Sequence, residues 1–92
     1  MLSLNELQEK MEALPEWSIA GNAIEKIFSF KTFKDSLAFA NKVGTLAESL
    51  NHHPEITISY TNVKLVLTTH SERGVTLKDI ELAKEIDKIE ND

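Results

Sequence analysis

Three histidines are the residues of this sequence whose chemistry is best suited to catalysis near neutral pH. Two of them, His52 and His53, are adjacent and precede Pro54, and the third is His70. Because an imidazole both gives and takes protons near neutral pH, these side chains suit general acid–base catalysis. The sequence has no cysteine, which excludes disulfides, thiolate metal sites and a cysteine nucleophile.

Glu48 is the acidic residue expected to act on this histidine pair. It lies four residues before His52, so a regular helix would place both side chains on one face. The carboxylate would then accept a hydrogen bond from the imidazole, fix its tautomer and favour the charged ring. The partial negative charge at the end of a helix acts in the same direction. His52 is therefore the candidate general acid.

Other candidate residues have structural interpretations that compete with a functional one. Asp79 follows Thr76 by three residues, a capping-box spacing that explains it without any catalytic role. Tyr60 lies on the apolar face of an alternating strand and is expected in the core. Trp17 is either a core residue or a stacking platform for a flat ring. Three histidines also suggest a metal site, but adjacent histidines rarely point at one ion, and no HExxH spacing occurs.

The elements that must position these residues follow from hydrophobic periodicity and from the few prolines and glycines. They are predicted in the order α-β-β-α-β-β-α, and two hairpins give an antiparallel four-stranded sheet. The fold class is therefore α+β, a sandwich of helices on a sheet. The predicted elements are a helix from Ser3 to Leu14, strands Trp17–Ala20 and Ala23–Lys31, a helix Phe33–Asn51, strands Glu55–Thr61 and Val63–Ser71, and a helix from Thr76 onward.

Three details of these elements bear on the site. The alternation of the second strand slips near Ile27, which indicates a bulge. His70 falls near the end of the last strand, on its less apolar face. The longest helix carries one apolar face with a 3.6-residue period, formed by Phe33, Leu37, Ala40, Val43, Ala47 and Leu50.

Composition indicates one soluble globular domain spanning residues 1–92. Hydrophobic residues make up 41% of the chain and charged residues 27%. Ten lysines and arginines stand against 15 aspartates and glutamates, and the resulting net charge of −5 argues against direct binding of nucleic acid. No apolar run approaches a membrane span and no signal peptide is visible, so we expect no membrane partner and a cytoplasmic location.

The spacing of the candidate residues resembles the signature of the pterin-4a-carbinolamine dehydratases. The matching positions span 32 residues without a departure and are Glu48, the triplet His52-His53-Pro54, Tyr60, His70 and Asp79. Trp17 and the pair Thr69-His70 fit the same pattern. The fold of that family is a four-stranded antiparallel sheet with three helices packed on one face, a two-layer sandwich that agrees with the predicted order of elements.

The resemblance implies a lyase reaction on a pterin substrate. A 4a-hydroxy-tetrahydropterin (the 4a-carbinolamine) loses water to give the quinonoid dihydropterin, a step that recycles the pterin cofactor of aromatic amino acid hydroxylases. The resemblance implies His52 and His70 as the acid–base pair and His53 mainly as a substrate ligand. The reaction would need no metal and no cofactor, because the pterin is itself the substrate.

The resemblance also implies supporting roles. Glu48 would orient His52, and Asp79 would either support the site near His70 or only cap its helix. Candidate walls of the pterin pocket are Trp17, Pro54 and Thr69, with the Thr69–His70 backbone offering amide groups to the polar edge of the ring.

Alternative functions remain open at this point. Some relatives act as dimerisation cofactors of a homeodomain transcription factor, so the chain could be a protein-binding module. It could also act on another pterin, for example in molybdopterin metabolism, or bind a metal. The resemblance implies a homodimer or a homotetramer, and the two edges of a four-stranded sheet need protection of this kind.

Overall fold

The computed structural model describes residues 1–90 and confirms the predicted α+β fold with its order of elements. Its strands form one antiparallel sheet in the order β1-β2-β4-β3, so the two hairpins meet along β2 and β4. The helices are α1 (Leu4–Met11), α2 (Phe33–Leu50) and α3 (Leu77–Glu90), and the strands are β1 (Ser18–Ala20), β2 (Ala23–Ser29), β3 (Glu55–Ser59) and β4 (Asn62–Leu67).

A single hydrophobic core lies between the helices and one face of the sheet. Alternate residues of β4 point inward, and Val63 and Leu65 have no exposed surface. The rings of Phe28 and Phe39 join β2 to α2, with centroids 4.7 Å apart. All three helices contribute to this core, with the buried side chains Leu7, Val43, Ala47, Ile80, Leu82, Ala83 and Ile86.

Strand β2 contains no bulge, so the expectation of one near Ile27 is wrong. Its register with β4 is continuous from Ile24 to Ser29. The apparent slip has another cause: Lys26 occupies a core-facing position and is only 8% exposed, while Ile27 points outward. The ammonium of Lys26 reaches the carboxylate of Asp87 on α3 at 2.9 Å, which makes the inward position possible.

The buried face of α2 is rotated from the predicted one. Phe33, Leu37 and Leu50 were expected in the core but are substantially exposed. The residues that α2 buries are Ser36, Phe39, Val43 and Ala47. The apolar surface of this helix is thus wider than the core it covers, and its outer flank is left exposed.

The segment after β4 also departs from the predicted strand. Strand β4 ends at Leu67, and the chain turns through a short 3₁₀ helix, His70–Glu72.

Tyr60, expected in the core, is 83% exposed because it occupies the left-handed turn between β3 and β4 at φ 59°. None of the helices formed by residues 1–90 combines the length and hydropathy of a membrane span.

Candidate active site

His52 is held by the buried carboxylate of Asp79. Helix α2 ends at Leu50, and Asn51 adopts the left-handed conformation at φ 50°, which turns the chain out of the helix. His52 then points toward the first turn of α3, where its Nε2 lies 2.6 Å from Asp79 Oδ1. The side chain of His52 is 14% exposed, whereas that of Asp79 has no exposed surface.

Two threonines complete the hydrogen bonding of Asp79. Its Oδ2 accepts from Thr69 Oγ1 at 2.8 Å and from the backbone N–H of Thr76 at 2.9 Å. The hydroxyl oxygens of the two threonines lie 2.8 Å apart. We call His52, Thr69, Thr76 and Asp79 the Asp79 network. Its hydrogen bonds link the end of α2, the segment after β4 and the start of α3.

His53 has a different carboxylate partner. Its Nε2 lies 2.8 Å from Oε2 of Glu48, and both side chains are exposed, at 58% and 76%. The predicted pairing of Glu48 with His52 is therefore wrong. Its physical cause is the left-handed residue Asn51, which ends the helix before His52 and removes it from the i+4 position.

Asp79 and His70 also differ from their predicted places. Asp79 was expected either to cap its helix or to support the region of His70. It bonds the Thr76 N–H as a helix cap does, but its other oxygen binds His52. His70 opens the 3₁₀ helix rather than ending a strand, and its exposed ring makes no hydrogen bond within residues 1–90. It is nevertheless tied to the Asp79 network, because it follows Thr69 directly.

Two clefts adjoin the Asp79 network. The smaller, about 290 Å³, is lined by His52, Leu77 and Lys78, with Leu50 and Glu81 at its sides. The larger, about 450 Å³, includes Thr69, Ser71 and Thr76 in its walls and shares Leu77 and Lys78 with the first. The larger volume lies near the lower end of the range of small-molecule sites, and the smaller lies just below that range. His53 and His70 are not part of either wall.

The remaining predicted wall residues are placed as follows. Trp17 lies in the core: its ring packs edge-on against Phe28, and its Nε1 donates to Asp87 at 3.1 Å. Pro54 is half-buried between His53 and β3. The backbone N–H of Thr69 already donates to the carbonyl of Gly74 at 3.0 Å, so it is not available to a ligand.

Sequence reasoning missed Lys78 and the second role of Thr76. The spacing Thr76-x-x-Asp79 predicts the bond from the Thr76 N–H to Asp79, and the resemblance predicts a supporting role near His70, but neither predicts the contact of Asp79 with His52. No sequence pattern indicates the contacts of Asp79 with His52 and Thr69, because these two residues reach Asp79 from distant elements of the fold.

Among residues 1–90, no three histidine, cysteine, aspartate or glutamate side chains are grouped to hold a metal ion.

Comparison with known proteins identifies the relatives of this chain. The family model described as pterin 4 alpha carbinolamine dehydratase matches residues 1–89. A protein of Sulfurisphaera tokodaii, provisionally named a pterin-4-alpha-carbinolamine dehydratase, is 46% identical over 96% of this chain and 95% of its own. A similarly named protein of Sulfolobus acidocaldarius is 43% identical over 97% of this chain and 98% of its own.

Two solved structures share the fold. A transcriptional coactivator/pterin dehydratase from Brucella melitensis superposes with a TM-score of 0.91 at 38% identity, covering 96% of both chains. A pterin dehydratase-like protein described as a RuBisCO assembly factor in the alpha-carboxysome has a TM-score of 0.66 at 20% identity, over 79% of this chain and 84% of its own. The second resemblance extends to the fold alone.

Proposed function

Because the chain belongs to the pterin-4-alpha-carbinolamine dehydratase family, we propose that it dehydrates a 4a-hydroxy-tetrahydropterin to the quinonoid dihydropterin by histidine acid–base catalysis. The observation that carries the proposal is the buried Asp79 carboxylate holding His52 at the wall of a cleft. A carboxylate behind an imidazole orients the ring and stabilises its protonated form during proton transfer.

The reaction needs one acid and one base. The acid gives a proton to the 4a-hydroxyl, and the C4a–O bond breaks with its electron pair leaving on water. The lone pair of N5 forms the C4a=N5 double bond, and the base removes the N5 proton. Charge and atoms balance with two imidazoles, since one starts protonated and the other neutral. The products are water and the quinonoid dihydropterin.

We assign the acid–base pair to His52 and His70 and substrate binding mainly to His53. His52 is the best-oriented of the three rings, because Asp79 fixes it. The ring of His70 has no hydrogen-bond partner within residues 1–90, so both of its nitrogens are open to a substrate. Glu48 would hold the ring of His53, and Pro54 would form part of the wall beside it.

The proposal extends to the setting of the reaction. The product would be returned to the pterin pool of an aromatic amino acid hydroxylase, and the chemistry described above uses no metal or other cofactor. Another pterin, such as an intermediate of molybdopterin metabolism, is the alternative substrate. Both substrates have the same flat ring and differ in their substituents.

The decisive experiment follows the dehydration of freshly generated 4a-hydroxy-tetrahydropterin by absorbance. Wild type should accelerate it over buffer, and His52→Ala and His70→Ala should each lose roughly 10²–10⁴-fold in kcat. His53→Ala should mainly raise KM. Activity that survives treatment with a chelator would support the metal-free chemistry. Folded wild type that gives no acceleration would overturn the dehydratase proposal for this substrate.

A second role, in protein association, is favoured by the exposed flank of α2. Phe33 and Leu37 on this helix and Ile58 on strand β3 are large apolar side chains with over a third of their surface exposed. Strand β3 pairs only with β4, so one edge of it is free in the described chain. Exposed apolar surface beside a free strand edge is typical of an interface. We therefore propose a homodimer or a homotetramer formed through this flank.

Light scattering coupled to size-exclusion chromatography tests this association. Wild type should elute as an oligomer, and Leu37→Glu should shift it toward the monomer. Thr45→Glu is the matched control, because it adds the same charge to an exposed position elsewhere on α2. A monomeric wild type would overturn the proposed association while leaving the dehydratase proposal standing.

A further inference from the structure

The hydrogen bonds around Asp79 leave little freedom in where the protons lie. Oδ2 of Asp79 accepts from the backbone N–H of Thr76, a group that can only donate. An ionised carboxylate only accepts hydrogen bonds, so the partner at its other oxygen must also be a donor. That partner is Nε2 of His52, at 2.6 Å. With Asp79 as the carboxylate, the proton of the neutral His52 ring therefore lies on Nε2, between the ring and Asp79.

The two threonine hydroxyls extend this order. Each has one proton to donate. Thr69 spends its proton on Asp79 Oδ2, so the 2.8 Å contact between the two hydroxyls must be a donation from Thr76 to Thr69. Thr76 Oγ1 in turn accepts from the backbone N–H of Lys78 at 3.2 Å. The donations run in one direction, from Lys78 through both threonines to the carboxylate.

We propose that Thr69 and Thr76 are positioning residues that hold His52 as the Nε2–H tautomer and make Nδ1 the atom that exchanges a proton with substrate. The part concerning substrate rests on the proposed dehydratase function. No hydrogen bond within residues 1–90 uses Nδ1 of His52, which leaves this nitrogen free. Thr69 is buried and its hydroxyl is committed to Asp79, so it acts through His52 rather than as a contact for the pterin.

With Nε2 protonated, His52 can act as acid or as base through Nδ1 alone. As an imidazolium the ring gives the Nδ1 proton to the 4a-hydroxyl, and it is left as the neutral Nε2–H form that Asp79 already favours. As a base the neutral ring accepts the N5 proton at Nδ1. In both directions Nε2 keeps its proton, and the exchange with substrate takes place at Nδ1.

The test measures the tautomer and the rate separately. Long-range ¹H–¹⁵N correlation spectra of protein labelled at histidine nitrogens distinguish a protonated Nε2 from a protonated Nδ1 in the neutral ring. His52 of wild type should show protonated Nε2. Thr69→Val removes the hydroxyl at nearly constant shape and leaves Oδ2 of Asp79 with one of its two donors, so the carboxylate can turn and lose its fixed contact with Nε2 of His52. The two tautomers should then mix, and kcat should fall about tenfold with little change in KM.

Three further variants make the test specific. Thr69→Ser restores the hydroxyl and should restore both the spectrum and kcat. Thr76→Val should resemble Thr69→Val more weakly, because it removes only the donor to Thr69. Thr68→Val is the matched control, since this neighbouring hydroxyl donates to the carbonyl of Asn22, outside the Asp79 network. It should leave the His52 spectrum and kcat unchanged.

The possible failures are distinguishable. A wild-type His52 protonated mainly at Nδ1, or an unchanged tautomer in folded Thr69→Val and Thr76→Val, overturns the positioning proposal whatever the activity. If Thr69→Val does not fold, a Thr76→Val protein with wild-type spectrum and kcat has the same consequence. A protein that shows the expected tautomers but does not dehydrate the pterin refutes the proposed function and leaves the orientation of His52 established.

Discussion

Two adjacent histidines in this protein are each paired with a carboxylate, and the two pairs differ in burial and in the hydrogen bonds that support them. The pair His52–Asp79 has a contact of 2.6 Å, with a fully buried carboxylate and a ring that is 14% exposed. The pair His53–Glu48 has a contact of 2.8 Å, with side chains that are 58% and 76% exposed. The first is supported by two threonines, and the second has no further partner within residues 1–90.

The difference shows that burial decides whether a hydrogen bond can fix the orientation and the tautomer of an imidazole ring. In the interior, the weak dielectric screening strengthens the contact, and the threonine donors leave the carboxylate one orientation. At the surface, water competes for both groups and two mobile side chains must be ordered, so an exposed pair contributes between about 0 and 1 kcal/mol. Only the buried pair can therefore fix a tautomer and hold a ring in place for catalysis.

Replacing Asp79 by asparagine should break the buried pair with the largest effect on activity. The amide oxygen would face the donors Thr69 and Thr76, which turns the amide NH₂ toward Nε2 of His52. A donor would then meet a donor unless the His52 proton moves to Nδ1. We expect a loss of roughly 10²–10⁴-fold in kcat, as for a catalytic imidazole held in the wrong tautomer. Steady-state dehydration rates measure it.

Glu48→Gln is the matched control for Asp79→Asn, because it makes the same chemical change in the exposed pair. It should change kcat less than about threefold, in keeping with the small energy of an exposed contact. Circular dichroism would establish that both variants are folded. Equal losses of activity in the two variants would contradict the conclusion that burial separates the two pairs.

The sequence predicted the elements better than the contacts between them. Hydrophobic periodicity is a local property, so it located the order α-β-β-α-β-β-α and the antiparallel sheet. The partner of His52 depends instead on one left-handed residue, Asn51, which no periodicity encodes. The contact itself joins residues 27 positions apart. The motif therefore indicated His52, Glu48 and Asp79 as site residues but paired Glu48 with the wrong histidine.

A third ion pair, outside the site, joins Lys26 to Asp87, and their side chains are 8% and 27% exposed. Burial alone would lower the pKa of Lys26, but the hydrogen bonds and charges of Asp87 and Glu90 outweigh burial and raise that pKa above its usual value. Lys26→Met keeps the length of the side chain and removes the charge. We expect the free energy of unfolding to fall by about 1.5–3 kcal/mol, measured by urea denaturation near pH 7.

The pH dependence of this loss has a definite sign. Because the folded pKa is raised, the ion pair contributes its full stability below the unfolded pKa of about 10.4, and this stability disappears as the pH rises through the folded value. The difference between wild type and Lys26→Met should therefore shrink at strongly alkaline pH. Lys88→Met is the control, since this lysine is 72% exposed. A loss for Lys88→Met as large as that for Lys26→Met would contradict the role of burial.

The smallest effect is expected for the contribution of the exposed His53–Glu48 pair to the free energy of unfolding. The dependence of this contribution on salt tests the comparison between the two histidine pairs. Glu48→Gln removes the charge opposite His53 and should lower the free energy of unfolding by less than about 1 kcal/mol. Because the pair is solvent-exposed, even this difference should fall further as ionic strength rises and screens the charges. Urea denaturation at low and high salt measures it. A salt-independent loss above that range would mean that Glu48 is fixed by contacts beyond His53, and that the two histidine pairs are more alike than their burial indicates.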